Sequence, residues 1–316
     1  MKKPFHITFL TALLICSVSS CIKEDRSECN PGALLKFDYS LNTKHTNLFE
    51  QEVGKVSVFV FDENGYYYDC FTDEGNHLTN NWQMFLPIPT GKYTTVTWGG
   101  NLNHYNIGET NSEETNFINR LEKGHTHIDD FMLHAEKDGE PLRKLDNLYH
   151  GQMDIVSVYS PTTATTVPLI KDTKKLTVTI KDKKVGQNMK NTIPQYNITC
   201  TGSNARYRAD NSFGQKAKTV TYKPYNTYNR PGEAIAELNL LRLYIGRALR
   251  LHIKNQEGKT VFDKDLLEVI RSTGHYSTQE ELDREDDYNV IINIDKNIIV
   301  SVTINGWIAV EILPDL

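Results

Sequence analysis

The sequence predicts an all-β protein: two β-sandwich domains in tandem with a few short helices. Three observations predict it. Runs of β-branched and aromatic residues recur about every ten residues, in two blocks. Turn chemistry punctuates them, Asn64-Gly65 being the clearest case. A small, polar, Pro-containing stretch at residues 160–166 separates the blocks, as a domain junction does.

Taken in order, residues 34–39 alternate from Leu35. Residues 56–61 are almost wholly apolar, as a central strand is, and residues 66–71 return from Asn64-Gly65 as a hairpin. Leu86 to Tyr93 reads as strand, turn and strand; the second strand continues to Trp98, and Gly99-Gly100-Asn101 closes the unit. A helix is expected after Ser112: Glu113 and Glu114 suit its first turn, Phe117 and Leu121 lie one turn apart, and Gly124 can stop it. Short strands follow near residues 131–133 and 148–158. Beyond the junction, residues 166–169 and 175–180 restart the pattern, with Leu176, Val178 and Ile180 inward. Further strands are expected at residues 196–201, 234–240, 248–253 and 260–262. Two helices come late, at residues 265–272 and after Ser277, where Ser277 as N-cap and Glu280 at N3 suggest a capping box. The chain closes with strands at 288–294 and 298–304, the latter running past Gly306 into 307–312.

The N-terminus has different chemistry. Lys2 and Lys3 precede an apolar stretch, residues 5–18, that is shorter than the about 20 residues a spanning helix needs. Ser17-Val18-Ser19-Ser20-Cys21 then resembles a bacterial lipobox, with Cys21 the lipidated first residue of the mature chain. The charged run Lys23-Glu24-Asp25-Arg26 reads as a solvated tether. Its position resembles the surface-export signal of Bacteroidales lipoproteins, implying the outer face of the outer membrane. The expected organisation is therefore a leader at 1–20, a lipidated tether at 21–32, and sandwich domains at 33–160 and 161–316.

Formal charge is −5, and losing Lys2 and Lys3 with the leader takes it to −7, which lacks the basic footprint of a nucleic-acid binder. After the leader leaves and Cys21 is lipidated, Cys29, Cys70 and Cys200 remain. A Cys29–Cys70 disulfide is the pairing expected, pinning the tether to the first domain. Catalytic signatures are missing: there is no nucleophile elbow and no phosphate-binding glycine loop. His125, His127, Asp129 and Asp130 form the most metal-like cluster, but they follow an expected helix stop and suit a polar loop. The acidic residues between Glu280 and Asp287 fit a helix N-terminus and a solvated face, since calcium loops need a sharp Gly turn. Tyr66-Tyr67-Tyr68 could contact a glycan or pack across strands. No enzyme, cofactor, metal or small-molecule substrate is expected.

Residues 279–290 (QEELDREDDYNV), followed by Val302-Thr303-Ile304-Asn305-Gly306-Trp307, resemble the fimbrial-anchor lipoproteins of Bacteroidales. So, in order, do Cys21 and Cys29, Phe59-Val60-Phe61-Asp62 with Gly65, Pro89-Thr90-Gly91-Lys92-Tyr93, and Trp98. The resemblance implies transthyretin-like, Greek-key sandwiches, no catalysis, and a place at the base of a fimbrium, with the shaft subunit and the outer membrane as partners. Shaft subunits of that system lose a strand after an Arg and are completed by a neighbour's strand, which is β-strand addition. The expected shaft contact is the last strand, through Ile304, Trp307, Val310 and Ile312. The rival expectation is a surface adhesin binding glycan or host matrix directly.

Overall fold

A computed structural model describes residues 30–111, 113–114, 116–135, 140–182, 196–214, 219–295 and 298–311. The leader, Cys21, Arg26, Cys29 and Ile312 lie outside the described residues.

The chain is mostly strand. The first half holds β1 (Pro31–Asp38), the one-turn α1 (Phe49–Glu52), β2 (Lys55–Phe61), β3 (Tyr67–Glu74), β4 (Met84–Leu86) and β5 (Gly91–Gly99). It continues with β6 (Asn106–Thr110), β7 (Phe117–Ile118), β8 (Phe131–His134), β9 (Tyr149–Tyr159), β10 (Ala164–Pro168) and β11 (Ile170–Lys171). The second half holds β12 (Thr173–Asp182), β13 (Asn197–Gly202), β14 (Arg206–Arg208), β15 (Val220–Tyr222), β16 (Asn226–Arg230) and β17 (Glu233–Leu241). Then come β18 (Leu249–Lys254), β19 (Thr260–Asp265), α2 (Leu266–Ser272), α3 (Gln279–Arg284), β20 (Asp287–Asp295), β21 (Ile298–Ile304) and β22 (Trp307–Glu311).

In the first half the order is β10-β1-β9-β5-β2-β3, with β4 also on β1 and β11 on β9. The apolar run of β2 has a simple cause: both of its faces are covered. Val56, Val58 and Val60 enter one core with Leu35 and Phe37 of β1. Phe59 and Phe61 enter another with Phe131 and Leu133 of β8. A strand buried on both faces loses the polar alternation of a half-solvated one. The second half is a sandwich of a six-stranded sheet, β16-β17-β12-β20-β21-β22, on β15-β13-β18-β19. Leu176, Val178 and Ile180 point inward from β12 as expected.

Four expectations need correction. The segment expected as a helix after Ser112 forms the β6–β7 hairpin, in which Thr110 pairs with Phe117. The Asn111 side chain accepts from the Asn116 backbone across the turn, and such side-chain bonds compete with helix. The polar stretch after residue 160 does not leave the first sheet. Its threonines form β10, an edge strand parallel to β1, and β11 still pairs with β9. The crossing between halves thus falls at Asp172 instead of residues 160/161. The capping box sits one residue later than expected, with Thr278 as N-cap and Glu281 at N3, while Glu280 accepts from Arg284 one turn on. The chain does not run straight past Gly306 either: Asn305 (φ 49°) and Gly306 (φ 88°) reverse it into the β21–β22 hairpin.

Gly100 shows how tightly the halves of the first unit meet. Its φ is +97°, and a Cβ there would lie 1.9 Å from the Asn147 carbonyl oxygen. Gly100→Ala should therefore lower stability by about 1–3 kcal/mol in urea denaturation. Gly54→Ala, where nothing lies within 4 Å of the added Cβ, should leave it unchanged.

Candidate functional site

Two features stand out: a buried polar joint between the halves, and the terminal edge of the six-stranded sheet. The joint gathers around the crossing residue. Asp172 is fully buried; its backbone N–H donates to the Leu148 carbonyl at 2.7 Å, and its Oδ1 accepts from Asn211 Nδ2 at 3.1 Å. Arg242 meets Asp283 through two bonds, Nε to Oδ1 at 2.7 Å and Nη2 to Oδ2 at 2.6 Å, and Nε lies 3.9 Å from Asp172. Lys174, also fully buried, donates to the Asp283 carbonyl at 2.7 Å and to Asp286 Oδ1 at 3.3 Å. Asp286 Oδ2 accepts from Tyr39 of the first half at 2.6 Å and faces Lys171 at 3.5 Å. Lys171 also donates to Glu52, which accepts from Tyr149 at 2.9 Å. Arg284 reaches across to the Ser40 and Asn42 carbonyls at 3.3 and 3.2 Å.

Burial sets the protonation chemistry here. It pushes the Asp172 carboxyl up to about 7, against the opposing pull of Arg242 and Asn211. It pushes the Lys174 ammonium down, with Asp286 and Asp283 opposing. A buried charge costs several kcal/mol unless it is paired. Asp172, Lys174 and Arg242 find their charged partners within the second half, and Asp286 carries the network across to Tyr39 and Lys171 of the first, so the joint ties the two halves together.

The acidic run read as a solvated face is the core of this joint. Asp283 is 3% exposed and Leu282 is fully buried. Nothing in the sequence paired Asp283 with Arg242, 41 residues away.

The terminal edge holds the strand expected to meet the shaft. Ile304 is buried in the core, opposite Trp307. Trp307 is 50% exposed and stacks on His275, with ring centroids 3.7 Å apart. Val310 pairs with Val302 and is exposed, as are Ile298 and Ile308, which sequence reasoning did not select. β22 ends the sheet order, so its outer backbone groups have no sheet partner among the described residues. The opposite edge, β16, presents Asn226, Thr227, Asn229 and Arg230, the polar dress of an ordinary protected edge.

The other expected site residues are dispersed. His127 lies beside Asp129 and Tyr66, and His125 sits in a turn; among the described residues no group of three or more His, Cys, Asp or Glu converges for a metal. The tyrosine run is occupied by packing: Tyr66 on His127, Tyr67 on Phe61, Tyr68 on Tyr93. Cys70 is a free, part-buried thiol on β3 whose pKa burial pushes up to about 11. The register puts it level with Gln152 of β9, whereas Pro31 pairs with Tyr159. Cys29, the expected partner of Cys70, lies outside the described residues. Cys200 is buried.

The profile of the fimbrillin-A associated anchor proteins Mfa1 and Mfa2 matches residues 26–312. The chain belongs to this family. It is 24% identical over 309 residues to the minor fimbrium anchoring subunit Mfa2 of Porphyromonas gingivalis, covering 93% of this chain and 90% of that one. The solved structure of that organism's fimbrial anchor protein Mfa2 superposes with a TM-score of 0.69 and 20% identity, over 89% of this chain and all of that one. A Bacteroides thetaiotaomicron protein, named as a candidate polysaccharide-binding protein, superposes with a TM-score of 0.75 and 25% identity, over 88% and 96%. The family is one of fimbrial anchors, not of enzymes, and membership implies association with other fimbrial subunits at the cell surface. Within this anchor-family chain, the 279–290 motif that carried the resemblance builds the joint.

The joint has a pH signature. Asp172 in the fold titrates near 7, above the ordinary carboxylate range, so its contribution to stability is greatest at acid pH and is lost as pH rises through about 7. Chemical denaturation of Asp172→Asn against the native chain from pH 4 to 8 should show the variant gaining relative stability as pH rises, with the difference levelling off above 7.

Proposed function

We propose that this chain ties a fimbrium to the outer membrane as a lipid-anchored base subunit. Lipid at Cys21 holds the membrane end. The edge strand β22 holds the shaft end by pairing with a strand of the shaft subunit. The observation that carries the reading is the contrast between the two edges of one sheet: β16 is polar, while β22 carries Trp307, Ile308 and Val310 with no charge before Glu311. Proteins normally blunt exposed edges because unpaired backbone groups recruit other strands. An apolar edge retained on a fimbrial anchor fits a docking strand, in which backbone bonds give affinity and alternate side chains give register.

The first sandwich supports the same polarity. β1 is flanked on both sides, by β10 in parallel and by β4 and β9 antiparallel, so the groove that a partner strand would fill is occupied by the chain's own first strand. The chain then donates or extends a sheet at its C-terminal end and accepts nothing at its N-terminal one. This requires the bond after Arg26 to escape the protease that trims shaft subunits.

Cells expressing an Ile308→Lys/Val310→Lys chain should keep the protein in the membrane fraction and shed fimbriae into the medium. Cys21→Ser should shed protein and fimbriae together. Fibres that stay on cells in the first variant would exclude β22 as the contact; fibres that stay in the second would leave Cys21 without a mechanical part.

A further inference from the structure

The outward face of β1 breaks the pattern of a sandwich. Ala33, Leu35 and Phe37 point into the core, so Gly32, Leu34 and Lys36 point away from it. A solvated face is normally polar. Here Leu34 lies between Phe85 of β4 and Ala164 of β10, and Val158 lies opposite Gly32. Val156 shares the face of Val158, two residues along β9. Phe85, Val156 and Val158 are 41%, 60% and 44% exposed. Gly32 lets them join: a Cβ there would meet the Phe85 ring at 2.3 Å, so the ring lies across the backbone toward Val158. Tyr159, half-exposed, sits opposite Pro31 at the same end.

The position of this strip points to its occupant. The Asn30 carbonyl accepts from Ser160 N–H at 3.5 Å, which fixes the start of the described chain beside the strip. Cys21 lies nine residues earlier, so a fully extended tether spans at most about 30 Å. We propose that this face rests on the bilayer into which the Cys21 lipid is inserted, a proposal that depends on the lipid-anchored reading above. Aromatic rings suit the headgroup level of a membrane, as Phe85 and Tyr159 would be placed. Lys92, across from Val156 and exposed, can lay its stem along the valine and offer its ammonium to headgroup phosphates. Asp62, Glu63 and Asp154 line the hollow beyond Val156 and bound the strip on that side. The contact turns a loose tether into a mount with one orientation.

The test uses the lipidated mature chain in phosphatidylethanolamine–phosphatidylglycerol vesicles, in a Cys29→Ser/Cys70→Ser background that leaves only buried Cys200 beside the lipidated Cys21. An environment-sensitive fluorophore is attached at Val158→Cys or, as the reference, at Glu257→Cys in the exposed β18–β19 turn. A bilayer-embedded nitroxide should quench the first several-fold more than the second, and adding Val156→Asp should abolish the difference while the protein stays vesicle-bound. Equal quenching on vesicle-bound protein overturns the proposal. So does a blue shift at position 158 that appears without vesicles and grows with protein concentration, which would mean a second copy covers the strip. If mass spectrometry finds no lipid on Cys21 and the protein fails to bind vesicles, the anchor reading itself has failed, and this proposal with it.

Discussion

The structure depends on one constraint: charges taken out of water must be paired, and around Asp172 the network that pairs them runs from the second half into the first. Arg242 and Asp283 close a two-bond ion pair inside the second sandwich. Lys174 and Asp286 extend it to the surface of that sandwich, and Tyr39, Lys171 and Glu52 finish it from the first. Separating the halves would leave Lys174 and Asp286 to rehydrate and would strip Tyr39 of its acceptor. Buried ion pairs add little net stability when compared with apolar packing, but removing one partner is strongly destabilising. The joint therefore specifies one docked arrangement more than it adds adhesion. Apolar contact supplies the adhesion: Trp98 of β5 packs on Tyr207 of β14, and Phe59 and Leu176 share one core.

This explains a division of labour in the sheets. The core that spans the halves includes residues from β2, β5, β8, β12 and β20, and β14 joins β8 edge to edge. Elements fixed on both faces cannot offer a surface. What is left to interact lies at the margins, and the margins differ in chemistry. β16 is polar, β22 is apolar, and the outward side of β1 is apolar where β4, β9 and β10 meet it.

Much of this was legible in the sequence, for local reasons. Strands such as β12 and β20 show themselves because their side chains alternate between core and water. The β2–β3 hairpin shows itself because Asn64-Gly65 has few other uses. The failures were of a different kind. The segment after Ser112 carries good helix signals, but it pairs as β7 with β6, and β6 is itself held as a strand by β8, a non-local fact. The threonines of β10 look like a linker because an edge strand buries little; of its residues only Val167 is fully buried. The acidic run of α3 looks solvated because its partners, Arg242, Lys174 and Tyr39, are far off in the chain. Composition could suggest the strip beside the tether only through Leu34, which spoils the alternation that starts at Leu35.

The same partners define a short path for load. β1 follows the tether directly, and Tyr39, at its far end, bonds to Asp286. Asp286 immediately precedes β20, which pairs with β21, which pairs with β22. From the tether strand to the apolar edge there are thus one side-chain hydrogen bond and two antiparallel ladders. A single bond of that kind is weak alone, so it can serve mechanically only if its neighbours share the load. They do: Arg284 holds the Ser40 and Asn42 carbonyls beside it, and Lys174 holds the other oxygen of Asp286. β12 carries the remainder, pairing with β20 over eight positions and beginning one residue after the crossing at Asp172. If pulling force enters at Cys21 and leaves at β22, it crosses between the halves where the charges are buried, which gives that motif a mechanical reason to be there.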